Sequence, residues 1–171
     1  MTGTYRPPLV LDASHELDGF ACRSVEQTEW LRRHARASAG TGTTRVLVVT
    51  RTDSDVVVAY YAWCMASVSL ADAPSRMRKG AGRYPQPVAL LARLGVDVGH
   101  EGGGLGAGLF QDVIARTLAL GEEIGCRGLL VHAETTEARD FYRHLVPEFE
   151  ASPTDELHLF LLTKDIRRTL T

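Results

Sequence analysis

Residues 88–110 read VALLARLGVDVGHEGGGLGAGLF, and the reading of the fold starts here. Val88–Val96 is an apolar run rich in leucine and valine, the pattern of a buried strand. A glycine cluster follows at Gly99, Gly102, Gly103, Gly104, Gly106 and Gly108. A long helical pattern begins near Leu105. Strand, glycine turn and helix N-terminus, in that order, make an anion site. Glycines let the backbone come close to a ligand, and the N–H groups of the first helical turn point at it. A phosphate or diphosphate suits such a place.

Three ligand classes compete for the loop. A P-loop nucleotide site ends in Gly-Lys-Ser/Thr, and no lysine lies between Lys79 and Lys164. A dinucleotide site needs G-x-G-x-x-G or its alanine variant. Gly102, Gly104 and Ala107 satisfy the variant. The acidic residues that should follow about 20 positions on, Glu122 and Glu123, fall inside the helical pattern rather than at a second strand end. Too little chain follows for a doubly wound sheet. Coenzyme A is the third class.

Working outward, the helix after the glycines runs to about Gly125, with Leu109, Phe110, Val113, Ile114 and Leu118 as its buried stripe. Residues 127–133 read as the next buried strand. Thr135 or Thr136 caps a short helix to about His144. Residues 156–162 read as the last strand, and residues 163–171 as a tail. Upstream, residues 71–87 form a long connector. Between Pro74 and Pro87 it carries Arg76, Arg78, Lys79 and Arg83 and no acidic residue, with Gly80 and Gly82 loosening it. It reads as a surface loop or as a phosphate-contacting one. Residues 44–50 and 56–70 are strands around the turn Asp53-Ser54-Asp55, an antiparallel hairpin. Residues 25–39 are a helix with Ser24 and Gln27 as its capping box and Gly40 and Gly42 as its stop. Trp30, Leu31, Ala35 and Ser38 share one face of that helix. Arg32, Arg33 and Arg36 share another, which is either solvated or holds phosphates or a partner. Leu9–Leu11 starts an edge strand, and residues 1–8 are a loose arm.

The chain has 171 residues and a formal net charge of −2, so any nucleic-acid contact must rest on local patches. The length fits one domain with a substantial core. Cys22, Cys64 and Cys126 are odd in number and far apart. They fit reduced thiols in the cytoplasm better than disulfides or a zinc site, and no metal is expected. No apolar run reaches the roughly 20 residues of a membrane span, and the first residues lack a signal-peptide pattern.

The segment Ala92-Arg93-Leu94-Gly95-Val96-Asp97, with Gly102-Gly103-Gly104-Leu105-Gly106, resembles the acyl-CoA motif of GNAT acetyltransferases. Glu137-Ala138-Arg139-Asp140-Phe141-Tyr142 resembles that superfamily's second signature. Four further segments resemble a narrower group: Phe20-Ala21-Cys22, Glu29–Ala35, Ala71-Asp72-Ala73-Pro74 and Leu129–Ala133. The group is the GNAT toxins of toxin–antitoxin pairs, TacT/AtaT-like, which acetylate the amine of aminoacyl-tRNA. The likeness covers roughly residues 10–163.

The resemblance implies an α/β (α+β) GNAT fold. Its mixed central sheet of about six to seven strands is splayed between the two central parallel strands and flanked by helices on both faces. It implies acetyl-CoA as cofactor, held by the backbone of Leu94, Gly95 and Val96. Gly102, Gly103, Gly104, Leu105, Gly106 and Ala107 would take the diphosphate, and Phe141 would also contact the coenzyme. It implies Tyr142 as general acid to the leaving thiolate; read alone, Tyr142 is more readily a core tyrosine beside Phe141. Arg76, Arg78, Lys79, Arg83 and Arg93, with Arg32, Arg33 and Arg36, would grip tRNA. A homodimer and a ribbon–helix–helix antitoxin are implied as well.

Asp97, Glu101, Glu134 and His132 are candidate general bases. Asp97 is as well suited to bonding local backbone, and His132 inside LLVHA reads as a core histidine. An aminoacyl ester's amine is less basic than lysine's, so no base need act. Two departures weaken the cofactor loop. Gly99 stands where the superfamily has Gln or Arg, and Gly103 where it is often basic, which lowers the expected affinity for acetyl-CoA. After Tyr142 the usual Gly-Phe pair is replaced by Leu145-Val146-Pro147-Glu148-Phe149. Two other readings stay open: an acetyltransferase of protein or small-molecule amines, and an inactive coenzyme-binding or protein-binding module.

Overall fold

A computed structural model describes residues 4–170. In chain order the elements are β1 (Leu9–Val10), α1 (Val25–Arg33), α2 (Ala35–Gly40), β2 (Arg45–Thr50), β3 (Val57–Val68), α3 (Ser75–Arg78) and β4 (Gln86–Val96). Then come α4 (Leu105–Glu123), β5 (Gly128–His132), α5 (Thr136–Leu145), β6 (Glu150–Ala151), β7 (His158–Leu162) and α6 (Thr163–Leu170). The strands form one seven-stranded mixed sheet in the order β1-β2-β3-β4-β5-β7-β6. β4 and β5 pair in parallel, Ala89 opposite Leu129 through Leu91 opposite Val131. β2 and β3 are the expected antiparallel hairpin, Val46 facing Ala62 and Val49 facing Ala59, with an irregularity at Val49/Thr50. β5 and β7 are antiparallel from Gly128–Leu162 to His132–His158.

The chain divides into two compact units. The first comprises the chain through Cys64 and Ala92–Asp112. Its core gathers Leu11, Leu17, Phe20, Leu31, Ala35, Val46, Val48, Val57, Tyr60 and Ala62. Each large side chain so buried stabilises the fold by about 1.5–3 kcal/mol. Ser24 caps α1 by accepting from the Gln27 N–H at 3.1 Å, as the sequence predicts. The single helix expected over 25–39 is bent at His34 (φ −118°, ψ −22°). The His34 N–H still donates to Trp30 O and the Ser38 N–H to His34 O, so this is a swivel of one residue rather than an end. It leaves Leu31 and Ala35 both buried. Within the expected loose arm, residues 1–3 lie outside the described residues. From Tyr5 on it is bound: Tyr5 bridges Arg51, and the Arg6 N–H donates to Thr50 O at 2.8 Å.

The second unit comprises Met65–Leu91 and the chain from Val113. Its core holds Val68, Ala73, Met77, Val88, Leu130, Phe160 and Leu162. Two expectations are corrected here. The connector 71–87 is not wholly irregular, because α3 forms inside it and buries Met77. The segment expected as a tail is α6, which buries Ile166 and Asp165. The charged composition of residues 163–171 hides that helix in the sequence, since Ile166 and Leu170 are its only apolar residues. On α4 the buried face includes Thr117 rather than Leu118; the Thr117 hydroxyl donates to Val113 O at 2.8 Å and so satisfies its own polarity.

Candidate active site

The turn after β4 is fastened before its glycines begin. The Asp97 N–H donates to Val58 O at 2.8 Å, and the Val98 N–H to Ala21 O at 2.9 Å. The Asp97 carboxylate accepts from the Gly99 N–H at 2.8 Å and the Ala21 N–H at 3.0 Å. Asp97 is therefore committed to local backbone and is a poor choice of base. Tyr5 Oη and His100 Nδ1 are 2.7 Å apart. Arg23 forks onto Glu101 with Nε and Nη2 at 2.9–3.1 Å, which offsets a carboxylate standing next to the anion site.

The glycines that follow are open. Gly102 (φ +80°) and Gly104 (φ +85°) take left-handed backbone, and nothing lies within 4 Å of where a Cβ would stand on either. Any other residue there meets about 1–2 kcal/mol of backbone strain. The Gly108 N–H makes the bond to Gly104 O, at 2.9 Å. The N–H groups of Gly104, Leu105, Gly106 and Ala107 are thus the donors that a helix leaves unsatisfied within itself, at the positive end of a 19-residue dipole. Leu109 and Phe110 are buried, and the Tyr61 hydroxyl donates to Asp112 at 2.7 Å, which seats α4. These residues fit a diphosphate: the donors are main-chain, the approach is unobstructed, and the turn is held from behind.

On β4, Gly95 is buried and tightly enclosed by side chains. A Cβ would stand 3.2 Å from the Tyr60 ring and 3.3 Å from Cys22 Sγ. Leu94 and Val96 are half-buried. Arg93 lies over the Trp30 ring at 5.0 Å, and Trp30 stacks on Tyr60. The Arg93 Nη1 also donates to Glu26 at 3.3 Å and to Gln27 at 3.2 Å.

In the second unit, Thr135 caps α5 by accepting from the Ala138 N–H at 3.1 Å. Tyr142 is buried, and burial holds its phenol above the ordinary tyrosine range, so the proton stays on the oxygen. Phe141 packs edge-on against it with centroids 5.3 Å apart. His132 is not the core histidine that its apolar neighbours suggest. It is exposed at the end of β5 and stacks on His158 at 3.9 Å. Partial desolvation, with the neighbouring imidazole second, lowers its pKa. Glu134 is exposed just beyond.

The basic residues part into two kinds. Arg76 donates to Asp165 at 2.8 and 3.0 Å and to Glu150 at 2.8 Å. It clasps α3 to α6 and β6, and its fork is taken up. Arg36 donates to the carbonyls of Asp12 and His15, Arg33 pairs with Glu29 at 2.7 Å, and Arg93 is held as above. Arg32, Arg78, Lys79 and Arg83 are exposed and carry no ion pair among the described residues.

Sequence reasoning offered Asp97 as a backbone fastener and missed the Arg23–Glu101 pair. Arg23 and Glu101 are far apart in sequence, so no local pattern joins them. Asp97 with Gly99 two positions on was a readable turn signal. Cys22, Cys64 and Cys126 are free thiols. Among the described residues no group of three or more His, Cys, Asp or Glu could hold a metal ion, and no helix is long and apolar enough to cross a membrane.

A mixed sheet with its parallel pair at β4–β5, and an open glycine turn between β4 and the long α4, define a GNAT-fold protein. The chain is 42% identical over 167 residues to the tRNA-acetylating toxin of Mycobacterium tuberculosis (strain ATCC 25618 / H37Rv), covering 98% of this chain and 97% of that one. It is similar to the structure of AtaT complexed with acetyl-methionyl-tRNAfMet, with a TM-score of 0.88 and 26% identity over 98% of this chain and 99% of that one. It is also similar to AtaTR bound with AcCoA, with a TM-score of 0.84 and 26% identity over the same shares. No family model matches. The chain belongs to the tRNA-acetylating toxins.

Proposed function

We propose that this chain transfers the acetyl group of acetyl-CoA to the α-amine of aminoacyl-tRNA, so that the blocked residue cannot accept a peptide and translation stops. The observation that carries the reading is the glycine turn, open and backed by a long helix dipole. The relative named for acetylating tRNA and the structural neighbours with AcCoA and acetyl-methionyl-tRNA support it.

In this reading the N–H groups of Gly102 to Ala107 hold the diphosphate. The backbone of Leu94, Gly95 and Val96 holds the pantetheine arm and donates to the acetyl carbonyl. A donor aimed at charge developing on that oxygen is worth about 3–4 kcal/mol in rate. The coenzyme supplies an acetyl group activated as a thioester. Tyr142, a neutral phenol that burial makes still less acidic, would donate its hydroxyl hydrogen to the sulfur as the C–S bond breaks after the amine has added to the carbonyl; the amine's proton goes to solvent, and the phenolate takes one back from solvent. Phe141 packs beside it. Arg78, Lys79, Arg83 and Arg32 contact tRNA phosphates. Arg76, Arg33, Arg36 and Arg93 act through the elements that they hold. The chain works as a homodimer in the cytoplasm, where charged tRNA is found, and a ribbon–helix–helix antitoxin restrains it.

The test is incubation of the protein with radiolabelled acetyl-CoA and charged tRNA, followed by mass analysis of the product. An acetyl group on the amino acid's α-nitrogen is expected. Label on protein lysines or on a polyamine, with none on tRNA, rejects the reading.

A further inference from the structure

Tyr84, in the segment between β3 and β4, is 77% exposed. Among the described residues it is the only exposed large hydrophobic in that segment. Its surroundings are cationic: Arg83 precedes it, and Arg78 and Lys79 lie at the end of α3, all exposed. No acidic residue stands between Pro74 and Pro87. A tyrosine left to fill space would be buried.

The backbone beneath it is built rather than loose. Gln86 is buried, and its amide donates to Tyr84 O at 2.9 Å and to Ala81 O at 3.4 Å. Arg127, on the approach to β5, donates to Gln86 Oε1. Pro85 and Pro87 limit the chain on both sides of that glutamine. The Arg127 N–H meanwhile donates to Pro87 O at 2.8 Å. At the other end, the Arg76 clasp fixes α3. A ring is thus presented to solvent on a pinned turn, with three unpaired cations in the same segment.

Single-stranded nucleic acid is recognised by this combination: cations along the backbone and an aromatic face on which an unstacked base can lie. We propose that Tyr84 is a stacking platform for an unpaired base of the tRNA 3′ end, positioning the charged end for transfer. This rests on the reading that charged tRNA is the substrate.

The experiment compares full-length wild type with Tyr84→Ala, Tyr84→Phe and Tyr84→Leu. Steady-state acetylation is measured with charged tRNA, together with fluorescence of a short single-stranded oligonucleotide carrying 2-aminopurine near its 3′ end. Tyr84→Ala is expected to raise KM for charged tRNA about 5- to 100-fold, with kcat within about twofold, since a stacked base contributes on that scale. Tyr84→Phe restores KM and Tyr84→Leu does not. The probe is quenched by wild type and by Tyr84→Phe, not by Tyr84→Ala. Equal KM in wild type and Tyr84→Ala, or rescue by leucine as good as by phenylalanine, overturns the proposal. So does a Tyr84→Ala protein that loses self-association with KM unmoved. If wild type acetylates no tRNA, the functional reading fails, and the quenching alone then decides the stacking.

Discussion

Replacing Tyr142 by phenylalanine is the sharpest test of how this chain acts. The side chain is only 7% exposed, so the ring carries the packing and Phe keeps nearly all of it. What goes is one hydroxyl. Burial holds that phenol above its ordinary value of 10, so the group is a neutral donor through the physiological range. A hydrogen bond to a charged partner contributes about 1.5–3 kcal/mol net, or roughly 10- to 150-fold. Full general acid catalysis contributes about 10²–10⁴-fold. A phenol less acidic than usual gives its proton to a thiolate reluctantly, so a loss of kcat near the overlap, about 10²-fold, is expected. The assay is single-turnover transfer to charged tRNA between pH 6.5 and 8.5, with acetyl-CoA affinity measured by calorimetry on the same protein. Affinity should stay within about twofold, and the wild-type rate should show no fall from tyrosine ionisation in that range. A Tyr142→Phe protein that turns over like wild type refutes the acid role outright. One that loses acetyl-CoA binding in proportion to rate refutes it too, because the hydroxyl would then be serving the ground state.

Gly104→Ala places a Cβ on backbone at φ +85°. About 1–2 kcal/mol of strain should weaken acetyl-CoA roughly 5- to 30-fold by calorimetry; unchanged affinity would place the diphosphate elsewhere. Asp165→Asn should cost about 1.5–3 kcal/mol of stability at pH 7, because it breaks charged bonds to Arg76 on a nearly buried carboxylate. Arg76 bonding holds the Asp165 pKa below its ordinary 3.8. The unfolded chain therefore binds the proton first as pH falls, and the wild-type advantage is complete above about pH 4 and shrinks below it. A Tm gap between the two proteins that persists unchanged down to pH 2.5 would contradict this. Arg78→Gln should lower the slope of log affinity for tRNA against log salt by about 0.7–0.9 without moving Tm, as loss of one phosphate contact does. Arg76→Gln should lower Tm and leave that slope alone; the reverse pattern would make Arg76 the phosphate ligand.

Much of this was legible because the determinants are local. The β2–β3 hairpin, the Val88–Val96 strand and the glycine turn each announce themselves within a few residues through β-branching, alternation or runs of glycine. The capping roles of Ser24 and Thr135 could be read for the same reason. What could not be read depends on partners distant in sequence. Arg76 looks like a phosphate ligand until Asp165 and Glu150 come alongside it, and the charge pattern of α6 gives no warning that Asp165 faces inward. His132 sits in an apolar string but falls at the exposed end of its strand, beside a histidine from β7. Tyr84 is hidden in the sequence because the glycines and prolines around it suggest looseness, whereas Gln86 and Arg127 pin the turn from below.

The glycines at 99 and 103 bear on how one nearly neutral chain serves two anionic substrates. A diphosphate held there by oriented N–H groups, as proposed above, would meet partial charges fixed in place by α4 and the Asp97 turn, so little counterion need be released when it binds. A tRNA end met by Arg78, Lys79 and Arg83, as proposed above, would be bound through full charges, and that contact would weaken steeply with salt. Had residues 99 and 103 been arginines, the coenzyme turn would have offered polyphosphate chains a second cationic site. Glu101, neutralised by Arg23 at 2.9 Å, works in the same direction. The glycine turn is thus poor in mobile positive charge, whereas Arg78, Lys79 and Arg83 stand in the segment that carries Tyr84. Discrimination between the substrates then follows from the kind of electrostatics at each place, dipoles for the compact diphosphate and cations for the extended strand. A formal net charge of −2 is no obstacle to either.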